Sequence, residues 1–478
     1  MMYIQKLPYI IYREYSNYGY LTDNRNFGYD SVSKGCKKVG DLLLSKESCV
    51  FYSVLSTKPQ ELNAIVENLS KIFEDASRTQ LHNDAVAFYQ QLSEQGFLIC
   101  SDTGDCIQIP TYLSYAERQT TFLSETKDEQ EIILPNFSET DNYLSRVHVD
   151  ISSLCNERCI HCYIPAKCKC NTMSERLFDR ILQQCIVMKV LNITLSGGEP
   201  MLNSNLVSFL KKSFEHNFSI NLLSNLTLLN DDLIGVMASN PLLSVQASLY
   251  SMNETVHDSI TGVKGSFRKT YNAILQLYER NIPMQINCPI MRQNLNCYHE
   301  VIDWATSMNI ESSADYMLFG CYDCSRSNLH CRLDGFEIKE VVKSECSDAN
   351  YLNNIRNAIS EKHVKVTDSI CPICKHSLCI STTGDVYPCE GWQRKIVGNI
   401  TETSLEKIWG NSKDVVALRG LQFKDFQKCC SCDNKKYCSP CLIMNANERD
   451  DGNWKIPNPY LCEIAEIKRS IIEPYVSL

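Results

Sequence analysis

Residues 147–163 read VHVDISSLCNERCIHCY. The opening of this stretch, 147–151, is β-branched and apolar at alternate positions and reads as a strand. Three cysteines follow at once, Cys155, Cys159 and Cys162, at C-x3-C-x2-C spacing. A loop leaving a strand can wrap three thiolates around one face of a metal cluster at that spacing. Three cysteines on a four-iron cluster leave one iron open to another ligand. A triplet this short can arise by chance in a cysteine-rich chain, so its surroundings decide its meaning.

Further along, the chain alternates apolar runs with amphipathic ones. Strands are expected over 147–151, 191–195, 219–223, 243–249, 284–290 and 312–318. Helices are expected over 174–188, 204–216, 231–238, 267–279, 298–307 and 335–344. Six successive βα units predict a parallel sheet with its crossover helices on the outer face, an α/β fold. Six units make a partial (β/α)6 TIM barrel, open along one side. Sites in such sheets lie at the C-terminal strand ends, where the cysteine loop emerges. Directly after the second strand stands SGGEP, residues 196–200. Its glycines let backbone approach a ligand, and its carbonyls and acidic side chain can receive an ammonium group.

The whole chain has 478 residues, enough for about three domains. Its net charge of −9 argues against nucleic acid as its main partner, because no basic field offsets phosphate repulsion. No apolar run is long enough to span a bilayer, and the N-terminus lacks a signal-peptide pattern. The chain therefore reads as cytoplasmic, with no membrane partner. Its 26 cysteines then point to metal thiolates rather than to a disulfide scaffold. Cys36, Cys49, Cys100, Cys106, Cys185, Cys288, Cys297 and Cys346 are isolated and read as core or surface residues.

Residues 1–105 read as a first domain. A hairpin is expected over 9–15 and 18–21, and short helices over 49–55 and 83–94. A helix over 59–73, capped by Ser56 or Thr57, would place Leu62, Ile65, Val66, Leu69 and Ile72 on one face. With a closing strand over 97–100, this describes a small winged-helix fold. Residues 106–145 are polar and acidic and read as a solvated linker, with one short strand at 132–134. The βα rhythm fills 146–365. Beyond it, 366–478 carries crowded cysteines, a hairpin turning at Thr383-Gly384 and a helical segment between 401 and 421. Few apolar residues are left to build a core there, so metal is expected to substitute for one.

Taken together, C-x3-C-x2-C after the first strand and Gly197-Gly198-Glu199-Pro200 after the second resemble the radical S-adenosylmethionine (SAM) superfamily. The resemblance implies that Cys155, Cys159 and Cys162 bind a 4Fe–4S cluster whose fourth iron takes the amino and carboxylate groups of SAM. It implies that Gly197, Gly198, Glu199 and Pro200 receive the SAM amino group, and that His161 is the aromatic of the signature. It further suggests Ser224 and Ser248 as polar contacts to SAM, and Asn287 and Met291 as contacts to its ribose and adenine. Reductive cleavage of SAM would then yield a 5′-deoxyadenosyl radical that abstracts hydrogen from substrate.

Residues 371–462 resemble the SPASM extension, which carries two auxiliary 4Fe–4S clusters in peptide-modifying members. The family pattern implies one cluster on Cys389, Cys441 and one or two of Cys371, Cys374 and Cys379. It implies the other on Cys429, Cys432, Cys438 and Cys462, with Cys430 spare. The spacing departs from the pattern at Cys441, two residues after Cys438 where three are usual. Zinc is the alternative for C-x2-C pairs. Cys321, Cys324 and Cys331 fall outside these motifs and can be plain structural thiols or a further thiol cluster.

The first domain resembles the RiPP recognition element, which binds the leader of a ribosomally made precursor peptide by β-augmentation. The expectation is a radical SAM peptide maturase carrying SAM and three 4Fe–4S clusters, fed by ferredoxin or flavodoxin. It would join a cysteine sulfur to a carbon of another residue. Carbon–carbon crosslinking, sulfatase maturation and a non-catalytic iron–sulfur sensor are the alternatives. A sensor has no need of an ammonium-binding Gly-Gly-Glu-Pro segment.

Overall fold

The computed structural model describes residues 2–28, 40–105, 115 and 142–476. The first domain begins with β1 (Tyr3–Lys6), β2 (Ile10–Glu14), β3 (Gly19–Asp23) and β4 (Leu42–Leu44). Then come α1 (Lys46–Ser53), β5 (Gln60–Glu61), α2 (Leu62–Ser70), α3 (Arg78–Glu94) and β6 (Leu98–Ser101). The expected hairpin is β2–β3, and it continues into β4 as an antiparallel sheet. The first strand was not expected. It pairs with β5 on one side and β6 on the other, both distant in sequence.

That pairing corrects the helix expected over 59–73. Gln60 and Glu61 are strand, so α2 starts at Leu62 and ends at Ser70. Ser56 does not cap it; its hydroxyl accepts from the Lys58 N–H at 3.0 Å. Ile72, beyond the helix end, is 54% exposed. α3 starts earlier than expected, at Arg78, because Ser77 caps it by accepting from the Gln80 N–H at 3.2 Å. Leu62, Ile65, Val66 and Leu69 pack with Tyr52, Leu81 and Tyr89 into this domain's own core.

The central sheet contains β7 (Arg146–Ser152), β8 (Asn192–Gly197), β9 (Ser219–Ser224), β10 (Leu243–Ser248), β11 (Met284–Pro289) and β12 (Glu311–Asp315). These six strands are parallel and follow sequence order. Between and after them run α4 (Glu175–Val187), α5 (Leu206–Glu215), α6 (Asp231–Ala238), α7 (Glu254–Thr261), α8 (Ser266–Glu279), α9 (Tyr298–Ser307), α10 (Gly335–Glu345) and α11 (Ala349–Glu361). The two-residue period of each strand divides its side chains. Val147, Val149 and Ile151 face the helices, in one core with Phe178, Ile181 and Leu182 of α4. His148, Asp150 and Ser152 take the opposite, inner face. On that face Gln246 donates to Gln285, and Ser313 donates to Asn287.

The sheet does not stop at the sixth strand. β13 (Ser377–Ile380), β14 (Asp385–Tyr387) and β15 (Gly398–Asn399) extend it to nine strands, with β13 parallel to β7. The C-terminal hairpin is therefore continuous with the sheet that bears the cysteine loop. Beyond it lie α12 (Leu405–Asn411), α13 (Lys413–Arg419), α14 (Leu442–Asn447) and α15 (Pro459–Val476). No helix among the described residues is long and apolar enough to cross a membrane.

The first domain grips the end of the sheet opposite the cysteine loop. Arg13, 7% exposed, donates to the carbonyls of Val190 and Asn217, each at 2.9 Å, in the turns entering β8 and β9. Asn217 also caps the β2 edge, accepting from the Tyr12 N–H at 2.8 Å and donating to the Ile10 carbonyl at 3.1 Å. Strands of six residues separate this contact from the C-terminal ends by about 20 Å. The segment read as a solvated linker is anchored at Tyr115, which is fully buried. Its hydroxyl donates to the Ile282 carbonyl and accepts from the Met284 N–H at the start of β11. The strand expected at 132–134 lies outside the described residues, as do Cys36 and Cys106.

Candidate functional site

The cysteine loop leaves β7 at Ser152, where the backbone of Gly197 and Gly198 meets it. The Gly198 N–H donates to the Ser152 carbonyl, and the Glu199 N–H to the Leu154 carbonyl, both at 2.7 Å. Gly197 has φ +123°, and a Cβ there would lie 2.0 Å from the Ser152 carbonyl oxygen. A Cβ on Gly198 would lie 2.4 Å from that of Leu154. The glycines thus make room for the cysteine loop's backbone.

Glu199 is fully buried. One carboxylate oxygen accepts from the Ser224 hydroxyl at 2.8 Å and the Met201 N–H at 2.9 Å. The other accepts from the Asn225 N–H at 2.8 Å. Burial raises its pKa, and these three donors oppose the rise. Glu199 therefore ties the end of β8 to the end of β9. Pro200 opens the short turn that follows.

Cys155, Cys159 and Cys162 share one partly buried neighbourhood. Burial pushes the Cys155 thiol up to about 11. Cys159 is pushed well above its usual range by burial, then by Glu157 and its two sister thiols. Such thiols stay protonated unless a cation offsets their charge, so the donor set fits a metal cluster. Two polar atoms around the loop are buried without a hydrogen-bond partner, Glu157 Oε1 and His161 Nδ1. Burial pushes Glu157 up to about 7 and pulls His161 down to about 4. Tyr250, two residues past β10, reaches toward the loop, with its hydroxyl 3.4 Å from His161 Nε2. Glu157 and Tyr250 were not singled out from sequence, although Glu157 lies within the cysteine motif and Tyr250 two residues past Ser248.

The other expected contacts are distributed around the C-terminal strand ends. Ser224 ends β9 and Ser248 ends β10. Asn287 stands in register with Ser248 on β11 and accepts from Ser313 at 3.2 Å. Met291 differs: its side chain is fully buried among Tyr250, Ile260, Leu318 and Cys331.

The C-terminal thiols fall into two groups. Burial raises Cys429 to about 11, with further upward pushes from Cys462 and Cys432, and raises Cys438 to about 12, with further upward pushes from Cys429, Cys462 and Cys432. All four line one cavity of about 70 Å³. In the second group, burial lifts Cys441 to about 11, with a further push from Cys371, and Cys441 in turn pushes up Cys389. Cys374 is buried and feels Cys371. Cys379 feels Cys389 of this group as well, and it lies on β13 in register with His148 of β7. Of the remaining triplet, Cys321 and Cys331 are core thiols, and Cys324 accepts a hydrogen bond from Arg394 at 2.7 Å.

Comparison with known proteins matches two regions of the chain. Residues 149–305 match the Radical SAM superfamily, and residues 371–449 match the SPASM iron-sulfur cluster-binding domain. The chain thus carries a radical SAM domain followed by a SPASM domain. It is 24% identical over 328 residues to the AdoMet-dependent heme synthase of Methanosarcina barkeri, covering 61% of this chain and 89% of that protein. It is 24% identical over 307 residues to the antilisterial bacteriocin subtilosin biosynthesis protein AlbA of Bacillus subtilis, covering 62% and 67%. In fold it is similar to Streptococcus suis SuiB, solved bound to the precursor peptide SuiA. That match has a TM-score of 0.60 at 15% identity and covers 96% of this chain and 99% of SuiB.

Proposed function

From a radical SAM domain joined to an iron–sulfur domain, we propose a radical SAM enzyme that modifies a ribosomally made precursor peptide. It links a cysteine sulfur to a carbon of another residue. The observation that carries this reading is the first domain. Among the described residues it adds nothing to the cysteine loop, yet it is fixed to the sheet through Arg13 and leaves an edge of its β2–β3–β4 sheet for a peptide. In that sheet β2 is capped by Asn217 and β3 is central, so the open edge among the described residues is β4. Leu43 on it is 47% exposed. An extended leader adds a strand at such an edge, its backbone supplying the hydrogen bonds. Likeness to SuiB and to AlbA supports a peptide substrate.

In this reading Cys155, Cys159 and Cys162 hold the 4Fe–4S cluster that binds SAM. When bound, cluster and SAM supply a 5′-deoxyadenosyl radical that removes a hydrogen atom from the peptide. Gly197 and Gly198 hold their backbone against the cysteine loop, and Glu199 holds Ser224 in place. Ser248 and Asn287 present polar groups toward SAM from the next two strand ends, and Met291 supports Tyr250 from below. Cys371, Cys374, Cys389 and Cys441 hold one auxiliary cluster; Cys429, Cys432, Cys438 and Cys462 hold the other. A ferredoxin or flavodoxin of the cytoplasm supplies electrons. The first domain acts as a winged-helix leader reader beside a partial (β/α)6 barrel.

The test is binding of the small peptide encoded beside the gene, by fluorescence anisotropy. Removing residues 1–105 should abolish it. Unchanged affinity would refute leader reading by this domain.

A further inference from the structure

Cys379, besides feeling Cys389 of the auxiliary group, stands beside two further ligand-type side chains. His148 and Asp150 stand two residues apart on β7 and share its inner face. Cys379 is the register partner of His148 on the adjoining β13. One ligand atom from each residue lies within 4.8 Å of the other two. Asp150 and Cys379 are buried, at 6% and 1% exposure. A buried carboxylate needs a paired charge or a bound cation. Among the described residues no Lys or Arg lies in ion-pair range of Asp150; its one such neighbour is His148, at 3.2 Å. The Gln393 side chain donates to the other carboxylate oxygen at 2.6 Å, fixing the carboxylate with Oδ1 toward His148. Outer hydrogen bonds of this kind orient metal ligands.

We propose that His148 Nε2, Asp150 Oδ1 and Cys379 Sγ form a mononuclear site for a zinc-type divalent ion. Its open fourth position takes the thiolate of a substrate cysteine. One nitrogen, one oxygen and one sulfur donor suit a borderline ion, and three protein ligands leave the exchangeable position typical of working zinc sites. The three donors come from two hydrogen-bonded strands and are held rigidly. The location suits the role. Asp150 lies two residues before Ser152, where the cysteine loop leaves the sheet. Tyr163, directly after Cys162, is within electrostatic reach of both Asp150 and Cys379. Cys389 of the auxiliary group is within electrostatic reach of Cys379, so a thiolate held there has both the SAM-binding loop's Tyr163 and the auxiliary group as neighbours. Metal binding at this site stands by itself; its use for a substrate thiolate rests on the peptide reading above. The thiol loses its proton to solvent on binding, and no redox change is involved.

The test uses the full-length, cluster-loaded enzyme under anaerobic conditions, with zinc chloride as the probe. About one zinc per chain should bind in addition to the iron, by elemental analysis. Its zinc-edge X-ray absorption should show one sulfur and otherwise nitrogen or oxygen neighbours. Adding N-acetylcysteine amide should raise the sulfur count to two. His148→Ala and Asp150→Asn should each lower zinc affinity at least about tenfold, since loss of one ligand of three removes a full metal bond. Their iron content should match wild type, which reports an intact fold. Absence of zinc from the wild-type protein overturns the site. Loss of about four irons in Cys379→Ser also overturns it, because the cysteine then belongs to a 4Fe–4S cluster. Zinc that never gains a second sulfur overturns the substrate-thiolate role. None of these readouts uses the precursor peptide, so failure of the peptide reading is told apart from failure of this one.

Discussion

Placing a methyl group on Gly197 should open the contact between the cysteine loop and the Gly-Gly-Glu-Pro segment. The alanine Cβ would stand 2.0 Å from the Ser152 carbonyl oxygen, so backbone itself must move. Overpacking of this kind costs about 1–3 kcal/mol. Holding alanine at φ +123° costs about another 1–3 kcal/mol. Moving the segments apart also breaks the bonds from the Gly198 and Glu199 N–H groups to the Ser152 and Leu154 carbonyls. The sum, about 2–6 kcal/mol, falls below or near the low end of the total stability of a domain. Gly197→Ala should therefore stay folded while its strain falls on the site. A loss of about 3–4 kcal/mol at the site weakens SAM binding about 100- to 1000-fold. Equilibrium dialysis of SAM against anaerobically reconstituted protein measures this, with circular dichroism reporting the fold. Gly198→Ala should behave alike. Gly235→Ala is the control: no atom lies within 4 Å of its Cβ, and it sits inside α6, where alanine adds about 0.5–1 kcal/mol of stability. SAM affinity of Gly197→Ala within about threefold of wild type would refute the close-approach argument.

Glu199→Gln places an amide NH2 against donors from Ser224, Met201 or Asn225 and should cost about 1–3 kcal/mol. SAM affinity should fall about tenfold or more while the iron content holds. Arg13→Met leaves the Val190 and Asn217 carbonyls without their donor, at about 1–3 kcal/mol each, and should loosen the first domain from the sheet. Hydrogen exchange should then rise across β2 and β3, with clusters and SAM binding unchanged. His257 is buried, and burial pulls its pKa down to about 4. It folds neutral, so its contribution is full above the unfolded value of about 6.5 and is lost as pH falls toward 4. Chemical denaturation of the wild type should show stability declining across that window, with a shallower slope in His257→Gln.

The βα core was legible because most of its strands are short, apolar and bounded by turn residues; 147–151 and 284–290 lie within one residue of β7 and β11, whereas the polar β12 ends at Asp315 rather than at 318. Most crossover helices were legible from their periodic apolar faces, but α11 and α15, the longest described helix, were not expected. Elements defined by distant partners were not. β1 becomes a strand only through β5 and β6. The hairpin at Thr383-Gly384 was readable as a hairpin, but nothing local says that Ser377–Ile380 lies beside β7. α7, eight residues capped by Asn253 between β10 and α8, was not expected. At the site, the cysteines and Gly-Gly-Glu-Pro were readable as motifs. What each side chain does was less so. Glu199 accepts hydrogen bonds from Ser224 and Asn225, and Met291 packs against Tyr250, partners that no local motif reveals. Cys379 belongs in space with His148 and Asp150, a juxtaposition that only strand register reveals.

The central claim is that the radical made at the cysteine loop reaches a peptide. The direct measurement is one anaerobic incubation of cluster-loaded enzyme, SAM, a reductant and the neighbouring precursor peptide, analysed by mass spectrometry. 5′-Deoxyadenosine should form in proportion to peptide lighter by two hydrogen atoms per crosslink, with fragmentation locating a cysteine sulfur in each link. Formation of 5′-deoxyadenosine with the peptide left unchanged would contradict the peptide substrate, and no 5′-deoxyadenosine at all would contradict the enzyme.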